Sequence, residues 1–330
     1  MLSRNEIKGY FENTESQPSF LNFGTRFEVS NSKPIINREK ATTHSFSGDS
    51  VDSIAGLEGA ASFTTIVSVV KKLMELSLIP KLSGIGIELG SGIGLLSAAM
   101  LKLDEQKKIN GILAIEASMP FVKDGINIVR KQILKDDSAR LIPCYGTFES
   151  ISVESQSIDF IFQIEALHHA NDLKIAANEA FRILKSGGFL ISIDRSWPDN
   201  TKRTELEKLL SHKYPKVWLI EKGFPADDPF TRRDNGEHEY LDSDWKQAFG
   251  EAGFTLVTYR KLHTKIEMWH IVKRTVGLLG LSKMLGIRIP SPAGVIRGFF
   301  FQKIPVLQKI GGVIVVAHPR NLTLSVWKKL

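Results

Sequence analysis

The sequence predicts an α/β fold built on a doubly wound, mainly parallel sheet, and three observations carry that expectation. A short apolar run, Ile85 to Leu89, passes through glycines at alternate positions, Gly90, Gly92 and Gly94, into the small apolar segment Leu95 to Leu103. Strand-like and helix-like segments then alternate as far as Asp194. The first two strands carry acidic residues, Glu88 within one and Glu116 at the end of the other. Strand, glycine turn, helix is the device by which a parallel sheet receives a nucleotide-like ligand. Glycines let the chain turn tightly and bring backbone N–H groups to the ligand without an intervening Cβ.

A dinucleotide fingerprint, G-x-G-x-x-G, fails here because its third glycine would fall on Leu95. The pattern present is E-x-G-x-G-x-G from Glu88 to Gly94. In this the chain resembles the class I S-adenosylmethionine (SAM)-dependent methyltransferases. A second run, S-I-D-F-I-F-Q-I-E-A-L-H-H followed by F-R-I-L-K-S-G-G-F-L-I-S-I-D, resembles the corresponding part of the small-molecule, UbiE-like type. The resemblance implies a Rossmann-like sheet of seven strands whose last two form a hairpin. It implies SAM as cofactor, with Glu88 near the methionine ammonium group and Gly90, Gly92 and Gly94 beneath the ribose and carboxylate. Glu116 lies 22 positions after Gly94. There the resemblance gives it both ribose hydroxyls, whose two donors match the two oxygens of a carboxylate.

Taken in order, residues 1–61 form an N-terminal extension with little periodicity but scattered aromatics. It reads either as a poorly ordered arm or, by the resemblance, as a cap over the active site. Ser62 to Leu78 has helical spacing and stops before Pro80. After the glycine loop, Asn110-Gly111 reads as a turn, Gly111 to Ile115 as the second strand and Phe121 to Leu134 as a helix. Arg140 to Tyr145 is the third strand, followed by Gly146, Thr147 and Phe148. The family often places an aspartate on the adenine amino group at the position of Thr147. With that departure, Thr147 or Phe148 could contact adenine, and a plain loop is equally compatible. Ser157 to Gln163 is the fourth strand, Leu173 to Leu184 a helix stopped by Gly187-Gly188, and Phe189 to Asp194 the fifth strand. Residues 198–243 read as an insertion, part loop and part helix, ahead of a helix over Trp245 to Ala252 and a sixth strand over Thr255 to Leu262. Gly311 to His318 is an apolar run suited to the seventh strand. The core is thus expected to span 62–262 and 311–322, with 263–310 inserted before the last strand.

At 330 residues, 42% hydrophobic and 24% charged, the chain has the composition of a soluble globular protein with a large core. One cysteine, Cys144, excludes an internal disulfide and a cysteine-based zinc cluster, and permits a cytoplasmic location. No secretion signal or membrane-spanning run is evident. Net charge is +7, and between His263 and Ile310 eight Lys and Arg residues face a single acid, Glu267. That basic and strongly apolar segment suits a lid or pocket for an anionic or lipid-linked substrate at a membrane interface, a dimer interface, or a solvated helical subdomain. Its apolar content argues against nucleic acid as first choice.

Methyl transfer is in-line displacement, so most of the task is positioning. A hydroxyl nucleophile benefits from a base; an amine needs none. Ligands in such sheets sit at the carboxyl ends of strands. Gln163, His168 and His169 lie there after the fourth strand and Asp194 after the fifth. Gln163 joins the expected cofactor set, and His168 or His169, with Asp194, the expected catalytic set. The expected activity is methylation of a small acceptor at O, N or C, such as a sugar, polyketide, quinone or lipid-linked intermediate. An RNA or protein methylase and a non-catalytic SAM-binding module remain as alternatives. The N/D-P-P-Y/F motif frequent in nucleic-acid amino methylases is replaced here by I-E-A-L-H-H.

Overall fold

The computed structural model describes residues 1–13, 17–24, 63–221, 224–262 and 322–330. Eight strands form one sheet: β1 (Leu21–Gly24), β2 (Gly84–Leu89), β3 (Ile109–Glu116), β4 (Leu141–Gly146), β5 (Ile158–Ile164), β6 (Leu184–Arg195), β7 (Thr255–Lys261) and β8 (Leu322–Lys328). Their order is β1-β4-β3-β2-β5-β6-β8-β7. All pairings are parallel except those of β8, which runs antiparallel to both β6 and β7. The order reverses direction at β2, so the β2–β5 boundary is the switch point at which such sheets receive ligands.

Helices cover both faces because the central strands are apolar on both sides, as a parallel sheet requires. On one face α1 (Phe63–Glu75), α2 (Leu95–Leu103) and the helical stretch 121–134 bury Val70, Leu73, Leu96, Val129 and Phe160 in one cluster. On the other, the N-terminal helix (Arg4–Glu12), α3 (Leu173–Ile183) and α4 (Asp242–Glu251) bury Ile7, Leu113, Ile183, Phe249 and Trp327. The 203–210 and 216–221 segments of the post-β6 insertion are helical (Arg203–Leu210, Lys216–Glu221).

Three expectations change. The sheet has eight strands, since part of the N-terminal extension joins it: β1 pairs with β4 through Leu21↔Cys144 and Asn22↔Tyr145. The Arg4–Glu12 helix is neither a loose arm nor a cap over the site. The Arg4 guanidinium binds the Ser157 carbonyl and Asp159 at 2.6 Å, which ties the helix to the amino end of β5, opposite the ligand end. Residues 25–61 lie outside the described residues. Second, Asn110-Gly111 is not a turn but lies inside β3. Its glycine is required by close approach, because a Cβ there would stand 2.3 Å from the Phe11 ring. Third, the expected seventh strand over 311–318 and the basic insertion 263–310 lie outside the described residues. The hairpin position between β6 and β7 is taken by Leu322–Lys328, whose Ser325 faces Ser192 and Tyr259 in register.

Candidate active site

The glycine loop joins the end of β2 to α2. Gly90, Gly92 and Gly94 have φ of +66°, +52° and +82°, a region that side chains other than glycine's rarely adopt. A Cβ at Gly90 would also meet the Ala166 Cβ at 2.5 Å and the Phe148 ring at 3.3 Å. The Ser91 N–H donates to the Ile115 carbonyl at 2.9 Å, and the Gly94 N–H to the Ser91 carbonyl at 2.8 Å, so the loop is stitched to the end of β3. α2 starts at Leu95 and presents its first turn to the loop.

The two acids take different surroundings. Glu88 is buried beneath the loop, where its carboxyl accepts from the Ser97 N–H at 3.1 Å and from the Ser97 hydroxyl. Burial pushes Glu88 up to about 8, the nearby Glu116 adds to the rise, and the Ser97 bonds oppose it. Glu116 is also buried and spans the loop. One carboxylate oxygen accepts from the Gly92 N–H and the other from the Ser118 N–H, both at 2.9 Å. Glu116 therefore holds the middle of the glycine loop to the end of β3.

Thr147 and Phe148 both border this loop. Phe148 packs against Gly90, and Thr147 is buried with its hydroxyl oxygen lacking any hydrogen-bond partner. A buried hydroxyl left unpaired is costly, and the unpaired group marks a place where a ligand donor or acceptor fits. Gln163 turns its side chain to protein partners. Its amide oxygen accepts from the Ala166 N–H at 2.9 Å and its amide nitrogen donates to the Ser192 hydroxyl. It braces the turn after β5 against β6.

The structure separates the two histidines. The short helical turn Leu167–His169 buries His168 and sets its Nδ1 2.7 Å from an Asp194 carboxylate oxygen. Asp194 also accepts from the backbone N–H of His168 at 3.2 Å and of Arg195 at 2.7 Å. Burial raises the Asp194 carboxyl above its ordinary range, with Arg195 pulling the other way. His169 stacks obliquely on His168 with ring centroids 4.3 Å apart and makes the outer half of the pair. A carboxylate on one ring nitrogen fixes the tautomer and orientation of an imidazole and stabilises its protonated form.

Sequence reasoning missed what closes this cluster. Residues 224–241 return over the end of β6 and bring Glu237 and Glu239 to Arg195. Arg195 Nη1 lies 2.8 Å from Glu237 and 3.1 Å from Glu239, and Arg232 pairs with the same two carboxylates. Trp197 Nε1 donates to Glu239, Tyr214 donates to Glu237, and the His238 N–H donates to the His168 carbonyl at 2.9 Å. Burial pushes Glu237 up, but Arg195 and the two histidines outweigh it and hold it down at about 2. The signal available in the sequence was the alternation E-H-E-Y at 237–240, which places both acids on one side of an extended segment. Among the described residues no group of His, Cys, Asp and Glu is arranged to hold a metal ion.

The fold and loop define a nucleotide-type site at the switch point of a sheet with an antiparallel seventh position. Residues 87–192 match the family profile described as a methyltransferase domain. The chain is 25% identical over 194 residues, 56% of its length and 69% of the other's, to the ubiquinone/menaquinone biosynthesis C-methyltransferase UbiE of Bartonella tribocorum. Among solved structures it is similar to a protein of Galdieria sulphuraria provisionally named a sarcosine dimethylglycine methyltransferase. That match has 16% identity and a TM-score of 0.48, covering 82% of this chain and 86% of the other. A phosphoethanolamine N-methyltransferase of Haemonchus contortus aligns at 13% identity and a TM-score of 0.45, over 81% of this chain and 56% of the other. The matched domain marks the chain as a SAM-dependent methyltransferase with SAM as its cofactor, and the chain is similar to the class I enzymes of that kind.

The residues present fit that cofactor: three glycines at positive φ, where other residues rarely sit, and a buried Thr147 hydroxyl with no internal partner. When bound, SAM supplies an electrophilic methyl group on a sulfonium. The chain's share is to bind, orient and exclude water.

Proposed function

We propose that this protein methylates a small-molecule acceptor at the carboxyl ends of β5 and β6. In this reading the Gly90–Gly94 loop carries the ribose and carboxylate of SAM, Glu116 takes the ribose hydroxyls, and Glu88 faces the ammonium group. Thr147 and Phe148 border the adenine, the first by hydrogen bond and the second by its ring. His168, held by Asp194, receives the proton that the acceptor gives up, and His169 lines the approach. The observation that carries the reading is the buried His168–Asp194 pair at 2.7 Å, set beside the glycine loop at the switch point of the sheet. A buried carboxylate behind an imidazole is of use for an acceptor with an acidic O–H or C–H, and of little use for an amine. The name of the Bartonella relative supports a quinone-type ring among such acceptors. Among the described residues no helix is long and apolar enough to cross a membrane. Contact with a membrane surface would rest on the basic, apolar composition of 263–310.

Calorimetry with SAM, comparing the wild type with Glu116→Ala, tests the cofactor half. Loss of at least tenfold in affinity is expected, and equal affinity rejects the ribose assignment. Methyl-labelled SAM incubated with fractionated host extract tests the acceptor half. Label in the low-molecular-weight fraction is expected, and label confined to RNA or protein overturns it.

A further inference from the structure

Arg195 is a buried cation whose hydrogen bonds are only half used. Its side chain is 5% exposed, and all its ion pairs, to Glu237 and Glu239, run through Nη1. Nε and Nη2 are buried and have no hydrogen-bond partner. These two nitrogens share one edge of the planar guanidinium, and their N–H groups form the parallel fork that meets two oxygens side by side. Leaving both unmet in a closed interior is unfavourable, and bulk water does not reach them. Arg140 has one unpartnered nitrogen too, but it sits at the opposite end of the sheet on Asp104 and the Ile109 carbonyl. At Arg195 a complete edge is unmet. It lies one residue from Asp194, at the strand end where an acceptor must bind, with Glu237 facing both it and the histidine pair.

We infer that the Nε–Nη2 edge of Arg195 is the docking fork for a neutral, planar acceptor that carries two neighbouring oxygens, a hydroxyl beside a carbonyl. This rests on the methyltransferase reading and narrows its substrate class. The fork asks for two lone-pair-bearing oxygens in one plane. The surroundings decide their charge: Asp194, Glu237 and Glu239 already match or exceed the charge of Arg195 and Arg232, so a carboxylate or phosphate gains no net attraction here. In a neutral hydroxy-carbonyl the hydroxyl proton closes onto the carbonyl, and the remaining lone pairs of both oxygens face outward together. Because the edge is covered, entry of the acceptor parts the side chains over it. Each N–H then gains a buried, charge-assisted bond, and the acceptor is fixed in rotation beside His168.

The test uses full-length 15N-labelled protein loaded with S-adenosylhomocysteine, with ligand-observed NMR titrations for affinity and protein-observed 1H–15N spectra for the Arg195 Nε–H. The probes are 2-hydroxyacetophenone, acetophenone, phenol and benzoate. The wild type is expected to bind 2-hydroxyacetophenone several-fold more tightly than either one-oxygen probe, and to shift the Arg195 Nε–H resonance on binding it. Arg195→Lys keeps the charge that Glu237 and Glu239 need but has no fork. It is expected to retain S-adenosylhomocysteine affinity within about twofold and to lose about tenfold or more toward 2-hydroxyacetophenone only. Because Arg195→Lys could unfold the cluster, the Nε–H shift in the wild type serves as the independent measurement. Equal binding of the one-oxygen and two-oxygen probes, preference for benzoate, an unmoved Nε–H, or no probe binding at all overturns the inference. Failure to bind S-adenosylhomocysteine would instead reject the methyltransferase reading on which it stands.

Discussion

Replacing Glu88 by Gln should change how stability depends on pH. Burial lifts this carboxyl from 4.5 to about 8, so between those values the folded chain keeps a proton that the unfolded chain has lost. A group that binds more protons in the folded state makes stability fall as pH rises, here from about pH 4.5 to about pH 8, with no further change above. At 1.36 kcal/mol per unit, a rise of about 3.5 units sets a ceiling of about 5 kcal/mol on the slide. Glutamine is neutral throughout, is nearly isosteric, and its carbonyl oxygen can still accept from the Ser97 N–H and hydroxyl. Urea unfolding followed by tryptophan fluorescence at pH 5, 6, 7 and 8 isolates the effect as the difference between the two proteins. Glu88→Gln should gain on the wild type by several kcal/mol across that range. A difference constant to within about 1 kcal/mol would refute the reasoning, since it would mean that Glu88 ionises alike in both states. The same proton should appear in cofactor binding. At pH 7 a group with a pKa of about 8 is roughly nine-tenths protonated, so pairing it with the ammonium group of SAM should release up to about 0.9 proton. Calorimetry in buffers of different ionisation enthalpy reads that release directly, and it should vanish in Glu88→Gln.

Two more outcomes follow from the same geometry. Gly90→Ala should lower stability by about 2–4 kcal/mol, from the strain of a positive φ together with overpacking against Ala166, and should weaken SAM in parallel; urea unfolding and calorimetry on one preparation check both. Asp194→Asn should leave SAM affinity within about twofold but cut turnover by about a hundredfold or more with any acceptor found in the labelled extract, with the loss in kcat rather than KM.

Local features were readable from residue order alone. The β2–loop–α2 unit needs only short-range chemistry: an apolar run, three glycines at positive φ, and a small-residue helix directly after. The helices at 63–75 and 173–183 were visible from their spacing for the same reason. The errors were errors of partnership. Asn110-Gly111 has the form of a turn, and only the Phe11 ring packed on it, about a hundred positions earlier in the chain, reveals why a glycine stands inside a strand. The choice between His168 and His169 was likewise open, because two adjacent histidines are equivalent until a turn buries one and leaves the other beside it.

The chain's own order settled that it would make a glycine-looped parallel sheet with acids at the ends of its first strands, because backbone conformation and apolar periodicity are properties of neighbouring residues. Tertiary packing alone settled which apolar run closes the sheet beside β6, which histidine meets Asp194, and that Glu237 and Glu239 reach Arg195 from 42 and 44 positions away. Those choices depend on burial and charge pairing between segments distant in sequence, and such energies come into existence only when the fold brings the partners into contact.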